Sequence, residues 1–255
     1  MRLDKYVSER FFSSRTKAAR AIAEGRVTLN GRVAKASDEV REGDDVRLEP
    51  PSDEFVSEGG KKLARALTFF KESAEGAVCA DLGASTGGFT DCLLKAGARR
   101  VYAADVGESQ LAPSLANDPR VTVMDRTNVR YLRAEDFPEQ IDIVTVDVSF
   151  ISLSLVFPAI AGLLAEHGRL FALIKPQFEC GAKGLDKHGV VKDAAVRRAA
   201  VQKVVSAAED CGLRLCGLVN APLRPRKNVE YMAYFRKDGA PLSKEEILRR
   251  TDELL

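Results

Sequence analysis

The chain has 255 residues, of which 45% are hydrophobic and 30% are charged, and its net charge is +2. This composition is typical of a globular protein and excludes a disordered or collagen-like chain, and the length allows one large domain with a smaller one. The net charge is too small to indicate a partner by itself. However, residues 1–35 contain nine Lys and Arg against three Asp and Glu, whereas residues 36–50 contain two against six. A basic face confined to the first segment is typical of nucleic-acid contact.

Neither a metal site nor a secretory signal is predicted. The five cysteines form no C-x-x-C pair and the two histidines complete no zinc pattern, so we expect reduced thiols and no metal. The chain does not open with a charged segment followed by an apolar one, which favours a cytoplasmic protein. Residues 148–165 are uncharged over the minimum length of a membrane span, but serines and Pro158 interrupt them. We interpret this stretch as a buried loop and helix, with no membrane partner.

Residues 1–49 are predicted to form a compact unit of two helices and a small sheet. The second helix should begin after Ser14 and end before Gly25, which suits a helix C-terminus. Asn30-Gly31 is the dipeptide preferred in a two-residue β-hairpin turn. Pro50-Pro51 then opens a linker over residues 50–56, because neither proline can extend a helix or a central strand.

This first unit resembles the small RNA-binding domain named after ribosomal protein S4. The motifs that carry the resemblance are Arg2-Leu3-Asp4, Ser14-Arg15-x-x-Ala18, Gly25-x-Val27-x-Leu29-Asn30-Gly31 and Gly43-Asp44. The resemblance implies that a basic helix and hairpin bind structured RNA through its shape and its phosphates. The residues expected to contact RNA are Arg2, Arg15, Lys17, Arg20 and Arg26.

A glycine-rich loop organises the rest of the chain. An apolar run ends at Asp81, small residues follow, and apolar helical spacing begins again at Phe89. Strand, loop and helix in this order are the first crossover of a doubly wound sheet, whose ligands lie outside the carboxyl ends of the strands. We therefore expect Gly83, Gly87 and Gly88 to let a cofactor approach bare backbone.

The loop favours S-adenosylmethionine over a phosphate-bearing cofactor. Its spacing is neither that of a dinucleotide fingerprint nor that of a P-loop, and no cation lies near it. Asp81 brings negative charge to the loop, and Asp105 ends the next apolar run, where it can accept hydrogen bonds from a ribose diol. Acids at both places suit a ligand with a sulfonium, an amino group and an adenosine. The alternative interpretation is a tight turn without a ligand.

Five further apolar runs complete a predicted seven-stranded sheet: residues 120–124, 141–146, 168–174, 213–219 and 231–235. Helices are expected before the glycine loop, over residues 193–211, and over residues 241–255 after Ser243. The predicted fold is an α/β, Rossmann-like class I S-adenosylmethionine methyltransferase over residues 57–255, with a small α+β RNA-binding domain before it.

Two lysines and two acids are predicted to meet at the carboxyl ends of the strands. Asp147 and Lys175 end the fourth and fifth strands, Lys62 comes from the preceding helix, and Glu230 directly precedes the last strand. Methyl transfer is an in-line displacement that depends on alignment. A lysine that is partly buried beside a second lysine can act as a base toward a ribose hydroxyl, with the acids fixing both lysines.

Two other methyl acceptors fit the sequence less well. Enzymes that modify an exocyclic amine carry an Asn/Asp-Pro-Pro-aromatic loop, where this chain has Asp147-Val148-Ser149-Phe150. Methylation of a pyrimidine carbon needs a cysteine nucleophile, and Cys180, the candidate, lacks a preceding proline. The alternative to methylation of a ribose hydroxyl is that both lysines are surface or ion-paired residues without a catalytic role.

The same residues resemble FtsJ-like RNA 2′-O-methyltransferases and, together with the first unit, the haemolysin A (TlyA) family. Lys62, Asp147, Lys175 and Glu230 fall where the family's catalytic Lys-Asp-Lys-Glu tetrad lies, and residues 81–91, 126–128, 147–153, 175–179 and 228–231 match its motifs. The resemblance implies methylation of cytidine 2′-hydroxyls in large-subunit (23S) and in some members also small-subunit (16S) ribosomal RNA. The expected cofactor contacts are Asp81, Gly83, Ser85, Thr86, Gly87, Gly88, Phe89, Asp105, Asp125 and Asp147.

Two positions depart from the family pattern. Glu58 stands where the family usually has Arg, which removes a cation near the expected RNA path, and Asp125 stands where it has Glu. The chain starts close to its first helix, without the extra N-terminal helical segment of dual-substrate members, so we expect a large-subunit substrate.

Two functions of other classes compete with a methyltransferase. A membrane-active haemolytic protein would need a membrane-active segment, which only residues 148–165 approach. An RNA-binding assembly factor with an inactive methyltransferase fold is disfavoured by the intact glycine loop and by Asp81, Lys62 and Lys175. The expected partner is ribosomal RNA or a ribosomal subunit, and the oligomeric state is left open.

Overall fold

The computed structural model describes residues 1–253 except 13, 24, 42, 49–54 and 223–226, and it leaves out the side chains of Arg20 and Lys183. The chain divides into two compact units, Met1–Glu54 and Phe55–Leu255. Linker residues 50–54 and the side chain of Arg20, an expected RNA contact, lie outside the described part.

The first unit packs two helices on a three-stranded antiparallel sheet. Helices α1 (Leu3–Phe11) and α2 (Arg15–Ala23) are followed by strands β1 (Val27–Leu29), β2 (Arg32–Val33) and β3 (Val46–Leu48), in the order β2-β1-β3. Asn30 and Gly31 both have positive φ, at 52° and 80°, as a type I′ turn requires. The buried core includes Leu3, Val7, Ile22, Val27 and Leu29.

The second unit is built on a seven-stranded sheet within the described residues. The strands are β4 (Val78–Leu82), β5 (Arg100–Ala104), β6 (Val121–Met124), β7 (Ile141–Val146), β8 (Leu164–Ile174), β9 (Arg214–Asn220) and β10 (Tyr231–Arg236). Their order is β6-β5-β4-β7-β8-β10-β9, parallel from β6 to β8, with β10 antiparallel to both neighbours. The order reverses between β4 and β7, and this switch point is where doubly wound sheets bind ligands.

Helices cover both faces of this sheet. They are α3 (Glu58–Phe70), α4 (Gly88–Lys95), α5 (Pro113–Ala116), α6 (Phe157–Leu163), α7 (Pro176–Glu179), α8 (Ala194–Glu209) and α9 (Lys244–Asp252). Alternate residues of β4 point to opposite faces, so Ala80 and Leu82 belong to the core under α6 and α8, and Cys79 belongs to the core under α3 and α4. The fold confirms the predicted class I methyltransferase architecture with its small α+β first unit.

The structure differs from the sequence prediction around residue 165. Strand β8 begins at Leu164 and not at Gly168, because a register shift between Ile141 and Ile143 lets the strand pair on both sides of an irregular segment. The uncharged stretch 148–165 therefore contains a seven-residue helix and the start of a strand. Among the described residues, no helix has both the length and the apolar character needed to cross a bilayer.

Candidate active site

A cavity of about 420 Å³ lies at the carboxyl ends of β4, β7 and β8. Its size is in the range of small-molecule sites. In the described part of the chain, no group of three or more His, Cys, Asp or Glu residues is placed to hold a metal ion. The cavity is lined by Ser57, Glu58, Gly59, Lys62, Gly83, Ala84, Ser85, Thr86, Gly88, Phe89, Asp147, Ser149 and Lys175.

Gly83 starts the glycine loop where β4 approaches the end of β7. Its φ is +84°, and a Cβ atom there would lie 2.8 Å from the Asp147 carbonyl oxygen. The amides of Gly83 and Ala84 both donate to the Ala104 carbonyl, at 2.8 and 3.1 Å, so the loop is tied to the neighbouring strand as well. A side chain at Gly83 would therefore push the loop off both strand ends.

Gly87 packs closely against Leu111 and Leu115, and its predicted contact with the cofactor stays a prediction. It does not line the cavity, its φ is +95°, and a Cβ atom would come within 2.3 Å of a Leu115 methyl group. Gly88 does line the cavity, and it also lets α4 approach Ser57, whose Oγ would lie 2.2 Å from an added Cβ.

Asp81 does not line the cavity, and its predicted contact with the cofactor stays a prediction. The residue is completely buried behind the loop, where Thr90 Oγ1 donates to Oδ2 at 2.7 Å and Thr145 Oγ1 donates to Oδ1 at 2.9 Å. Burial raises the pKa of Asp81 to about 6, and the charge of Asp147 adds to the effect, while the two threonine hydrogen bonds oppose it. Asp81 thus ties β4, α4 and β7 together beneath the loop.

Asp105 and Asp125 support the loops beside the cavity and do not line it. Asp105 accepts hydrogen bonds from the Ser85 amide (Oδ2, 2.8 Å) and the Gly107 amide (Oδ1, 2.8 Å). Asp125 Oδ2 accepts one from the Ser109 amide at 2.9 Å. Both carboxylates are only partly buried, and a carboxylate oxygen can accept more than one hydrogen bond, so both still have room for a ligand hydroxyl.

Lys175 and Asp147 form an ion pair on the other wall of the cavity. Lys175 Nζ lies 2.5 Å from Asp147 Oδ1 and donates to Ser149 Oγ at 2.9 Å, and the two charged side chains are 10% and 21% exposed. The contact to Oδ1 lacks the angles of a hydrogen bond, and Oδ1 has no other partner among the described residues. Oδ1 is thus buried against Lys175, and Asp147 lines the cavity with the rest of its partly exposed side chain.

Lys62 and Glu230 form a second ion pair. Lys62 Nζ from α3 donates to Glu230 Oε2 at 2.6 Å, and the side chains are 15% and 19% exposed. Lys62 lines the cavity and Glu230 reaches it through this contact. The four predicted residues are thus brought together as two lysine–carboxylate pairs. Glu58, the departure from the family pattern, pairs with Lys61 at 3.1 Å.

Phe150 is a feature that the sequence argument did not identify as functional. Its side chain is 91% exposed, its φ is +63°, and its ring centroid lies 5.0 Å from that of Phe178. A large aromatic residue is rarely this exposed without a partner. The sequence feature that could have identified Phe150 is its position in the loop directly after the strand that leads to Asp147.

The expected RNA contacts of the first unit lie on or near its basic helix. Arg2 and Arg15 line a cavity of about 640 Å³ together with Asp4, to which Arg2 is bonded at 2.9 Å. Lys17 and Arg15 are exposed on α2, while Arg26 is partly buried. The structure therefore brings Arg2 and Arg15 into one surface.

The catalytic cavity fits S-adenosylmethionine. The residues from Gly83 to Thr86 present small uncharged side chains and main-chain atoms to the cavity, and Lys62 and Lys175 also line it. Asp147 brings a carboxylate to the cavity lining, and its negative charge suits the amino group or sulfonium of this ligand. Asp105, beside the loop, suits a ribose diol.

Comparisons with known proteins agree with this geometry. Residues 55–237 match the FtsJ-like methyltransferase family, and residues 1–46 match the S4 domain. Hemolysin A of Brachyspira hyodysenteriae is 40% identical over 239 residues, which are 92% of this chain and 99% of the relative. The Mycobacterium tuberculosis protein named 16S/23S rRNA (cytidine-2′-O)-methyltransferase TlyA is 42% identical over 226 residues, which are 88% of this chain and 84% of the relative.

A solved structure is similar over nearly the whole chain. A protein described as a hemolysin, from Streptococcus thermophilus, is 35% identical and superposes with a TM-score of 0.73, covering 98% of this chain and 95% of its own. The chain therefore belongs to the haemolysin A (TlyA) family, in which an S4 domain precedes an FtsJ-like methyltransferase domain that uses S-adenosylmethionine.

Proposed function

We propose that this protein transfers a methyl group from S-adenosylmethionine to the 2′-hydroxyl of a cytidine in ribosomal RNA. The observation that carries the proposal is that both lysine–carboxylate pairs meet the cavity that the glycine loop lines. The name of the M. tuberculosis relative, at 42% identity, supports the choice of cytidine and of ribosomal RNA.

The residues that would hold the cofactor lie on the loop side. Gly83, Ser85, Thr86, Gly88 and Phe89 line the cavity and would contact it, Asp105 and Asp125 lie beside the loop, and the Asp147 carboxylate would attract its positively charged groups. When bound, S-adenosylmethionine supplies an electrophilic methyl group on a sulfonium. Asp81 and Gly87 take part through the loop conformation that they stabilise.

Lys175 removes the proton of the attacking hydroxyl. A ribose hydroxyl is a weak nucleophile at neutral pH unless a base takes its proton during attack. A Lys175 side chain that has lost its own proton to solvent can receive the hydroxyl proton, and Asp147 Oδ1, 2.5 Å from Nζ, then stabilises the ammonium that forms. Ser149 Oγ, at 2.9 Å, fixes the direction of Nζ.

Lys62 orients the acceptor from the other side. Glu230 holds its ammonium at 2.6 Å, and both side chains are largely buried, so the pair is not free to reorient in solvent. An ammonium fixed beside a sugar oxygen stabilises the negative charge that develops there as the O–H bond breaks and that disappears once the O–C bond has formed. Lys62 therefore aligns the acceptor hydroxyl, and Lys175 removes its proton.

Phe150 is the surface on which the base of the target nucleotide stacks. Its ring is almost entirely exposed and packs against the ring of Phe178. Proteins commonly hold an unpaired base by stacking it on an exposed aromatic ring of this kind. Because stacking carries little sequence information, Phe150 would hold the base, while selection of the cytidine falls to other contacts.

The first unit would bring the enzyme to structured RNA. We propose that residues 1–49 bind RNA through Arg2, Arg15, Lys17, Arg20 and Arg26, that residues 50–56 are a linker, and that residues 57–255 form the methyltransferase domain. The reaction would take place in the cytoplasm, where ribosomal subunits are available.

Transfer of a labelled methyl group tests the proposal. Unmodified large and small ribosomal subunits are incubated separately with the protein and methyl-labelled S-adenosylmethionine, and the nucleosides are analysed by mass spectrometry. We expect 2′-O-methylcytidine in at least one subunit. Methylation of a nucleobase, or label in neither subunit, would contradict the proposal.

A further inference from the structure

Glu179 is a buried carboxylate behind the active-site loop. Its side chain is 2% exposed, Oε1 accepts a hydrogen bond from the Leu153 amide at 2.9 Å, and Oε2 accepts one from Ser152 Oγ at 2.6 Å. Lys203 of α8, whose side chain is 51% exposed, also contacts Glu179, with Nζ 3.4 Å from Oε2 and 3.0 Å from the carbonyl oxygen. A buried charge persists only where several such partners hold it.

The segment that Glu179 holds is the far end of the loop that carries Phe150. Ser152 caps the 3-10 turn Leu153–Leu155 by accepting from the Ser154 amide, and its hydroxyl also lies 2.8 Å from that of Ser154. Residues 148–151 therefore span the gap between Asp147 at the end of β7 and a turn that is fixed at Ser152.

One short segment, residues 175–179, contacts this loop along its whole length. Lys175 binds Asp147 and Ser149 at one end, Phe178 backs Phe150 in the middle, and Glu179 binds Ser152 and Leu153 at the other end. These contacts support a backbone that is otherwise unfavourable, because Phe150 has a left-handed φ of +63°.

We propose that Glu179 is a positioning residue that fixes the position and orientation of the Phe150 ring, and through that ring the position of the acceptor nucleotide. The inference rests on the proposed function for its effect on the reaction. Glu179 does not line the cavity, and the loop it holds bears the aromatic residue but not the glycine residues of the cofactor side. Its loss should therefore weaken use of RNA and leave S-adenosylmethionine affinity unchanged.

Three substitutions separate this role from a merely structural one. Ser152→Ala removes the hydroxyl contact together with the cap of the 3-10 turn, Glu179→Gln removes the charge and keeps the shape, and Lys203→Met removes the half-exposed partner from α8. We expect RNA kcat/KM to fall about threefold for Ser152→Ala and about tenfold for Glu179→Gln. Lys203→Met should stay within about twofold of the wild type, because Lys203 bonds only to Glu179 among the loop contacts.

A double-mutant comparison with Phe150 tests whether the effect passes through that residue. Glu179→Gln added to Phe150→Ala should change RNA kcat/KM by no more than about twofold, because the side chain that Glu179 positions is already gone. An additional loss of about tenfold, or a loss of S-adenosylmethionine affinity in Glu179→Gln, would overturn the proposal.

A fluorescence measurement tests the positioning without any RNA substrate. The chain has no tryptophan, so Phe150→Trp installs a single probe at the loop. The anisotropy of this probe should fall when Glu179→Gln or Ser152→Ala is added, and should not change with Lys203→Met. Equal anisotropy in all four proteins would overturn the proposal. A wild-type protein that methylates no RNA would contradict the proposed function alone, since the anisotropy comparison does not depend on it.

Discussion

The two walls of the catalytic cavity are built by different means. The loop wall consists of main-chain atoms and small residues from Gly83 to Thr86, held from behind by Asp81 and Asp105. The second wall, called the charged wall here, consists of the ion pairs Lys62–Glu230 and Lys175–Asp147. The exposed side chain of Phe150 lies in the loop that follows Asp147. Cofactor recognition thus depends on backbone conformation, and the proposed chemistry depends on side chains.

Substitutions on the two walls should therefore impair different steps, cofactor binding on one wall and turnover on the other. A change on the loop wall alters the shape that receives S-adenosylmethionine, so it should appear in cofactor affinity. A change on the charged wall leaves that shape intact and removes groups that act on the acceptor, so it should appear in turnover. Measuring both quantities for each variant tests the division.

Lysine to alanine on the charged wall should have the largest effect. We expect Lys175→Ala and Lys62→Ala each to lower the methyl-transfer rate by about a thousandfold or more, because general-base and electrostatic contributions have this size. Affinity for S-adenosylmethionine, measured by calorimetry, should stay within about twofold. Lys61→Ala is the matched control, since Lys61 adjoins Lys62 and does not line the cavity. A parallel loss of rate in that control would remove the distinction.

Asp81, which lies behind the loop wall, should make the free energy of unfolding of the protein depend on pH. Its folded-state pKa of about 6 exceeds its ordinary value of 3.8, so the folded protein binds the proton more tightly than the unfolded chain does. Stability relative to Asp81→Asn should therefore be greatest below about pH 4 and fall by about 3 kcal/mol as the pH rises through 6. Urea unfolding of both proteins between pH 4 and 7 measures this difference. Parallel pH profiles would show that the carboxylate is not perturbed.

Gly83→Ala should damage cofactor binding more than it damages stability. The new methyl group would meet the Asp147 carbonyl at 2.8 Å with φ at +84°, so the loop must shift. We expect the dissociation constant of S-adenosylmethionine to rise about thirtyfold, which corresponds to about 2 kcal/mol. Gly162→Ala is the control: it lies in α6 with no atom within 4 Å of an added Cβ, and it should leave cofactor affinity unchanged. Unchanged affinity in Gly83→Ala would mean that this conformation is not required.

Phe150→Ala should weaken RNA use alone. Loss of one base–aromatic stack is expected to raise the KM for RNA about tenfold, or about 1.4 kcal/mol, without changing cofactor affinity. Phe69→Ala is a suitable control, because Phe69 is also exposed, at 40%, and is not a cavity residue. If both variants behave alike, Phe150 has no special part in binding the base.

The smallest effect is expected in the first unit. Arg15→Ala should weaken RNA binding a few-fold and lower the slope of log affinity against log salt by roughly one, as loss of one phosphate contact does. Filter binding at several salt concentrations measures the slope. An unchanged slope would indicate that Arg15 does not meet a phosphate.

The sequence predicted the residues of the charged wall better than those of the loop wall. Parallel strands end at one rim of the sheet, so Asp147 and Lys175 could be placed together from their positions alone. The direction of a side chain at a strand end is not fixed by that rule. Asp81 points away from the cavity because Thr90 and Thr145, from a helix and another strand, reach its carboxylate.

Packing partners explain the other differences. Gly87 is required by Leu111 and Leu115, which lie more than twenty residues further along the chain, and no local pattern reveals them. The exposure of Phe150 depends on contacts with residues 175–179, which only the folded chain brings beside the loop. The number of strands and most of their bounds, by contrast, follow from local apolar runs, and the start of β8 at Leu164 is the exception.

The most direct test of the central claim is the chemical position of the transferred methyl group. Ribosomal RNA labelled by the protein from methyl-labelled S-adenosylmethionine is hydrolysed in alkali, which needs a free 2′-hydroxyl to cleave the backbone. The account predicts that the label appears in an alkali-stable dinucleotide with cytidine on its 5′ side. Label recovered in mononucleotides would place the methyl group on a base and contradict the role assigned to Lys62 and Lys175.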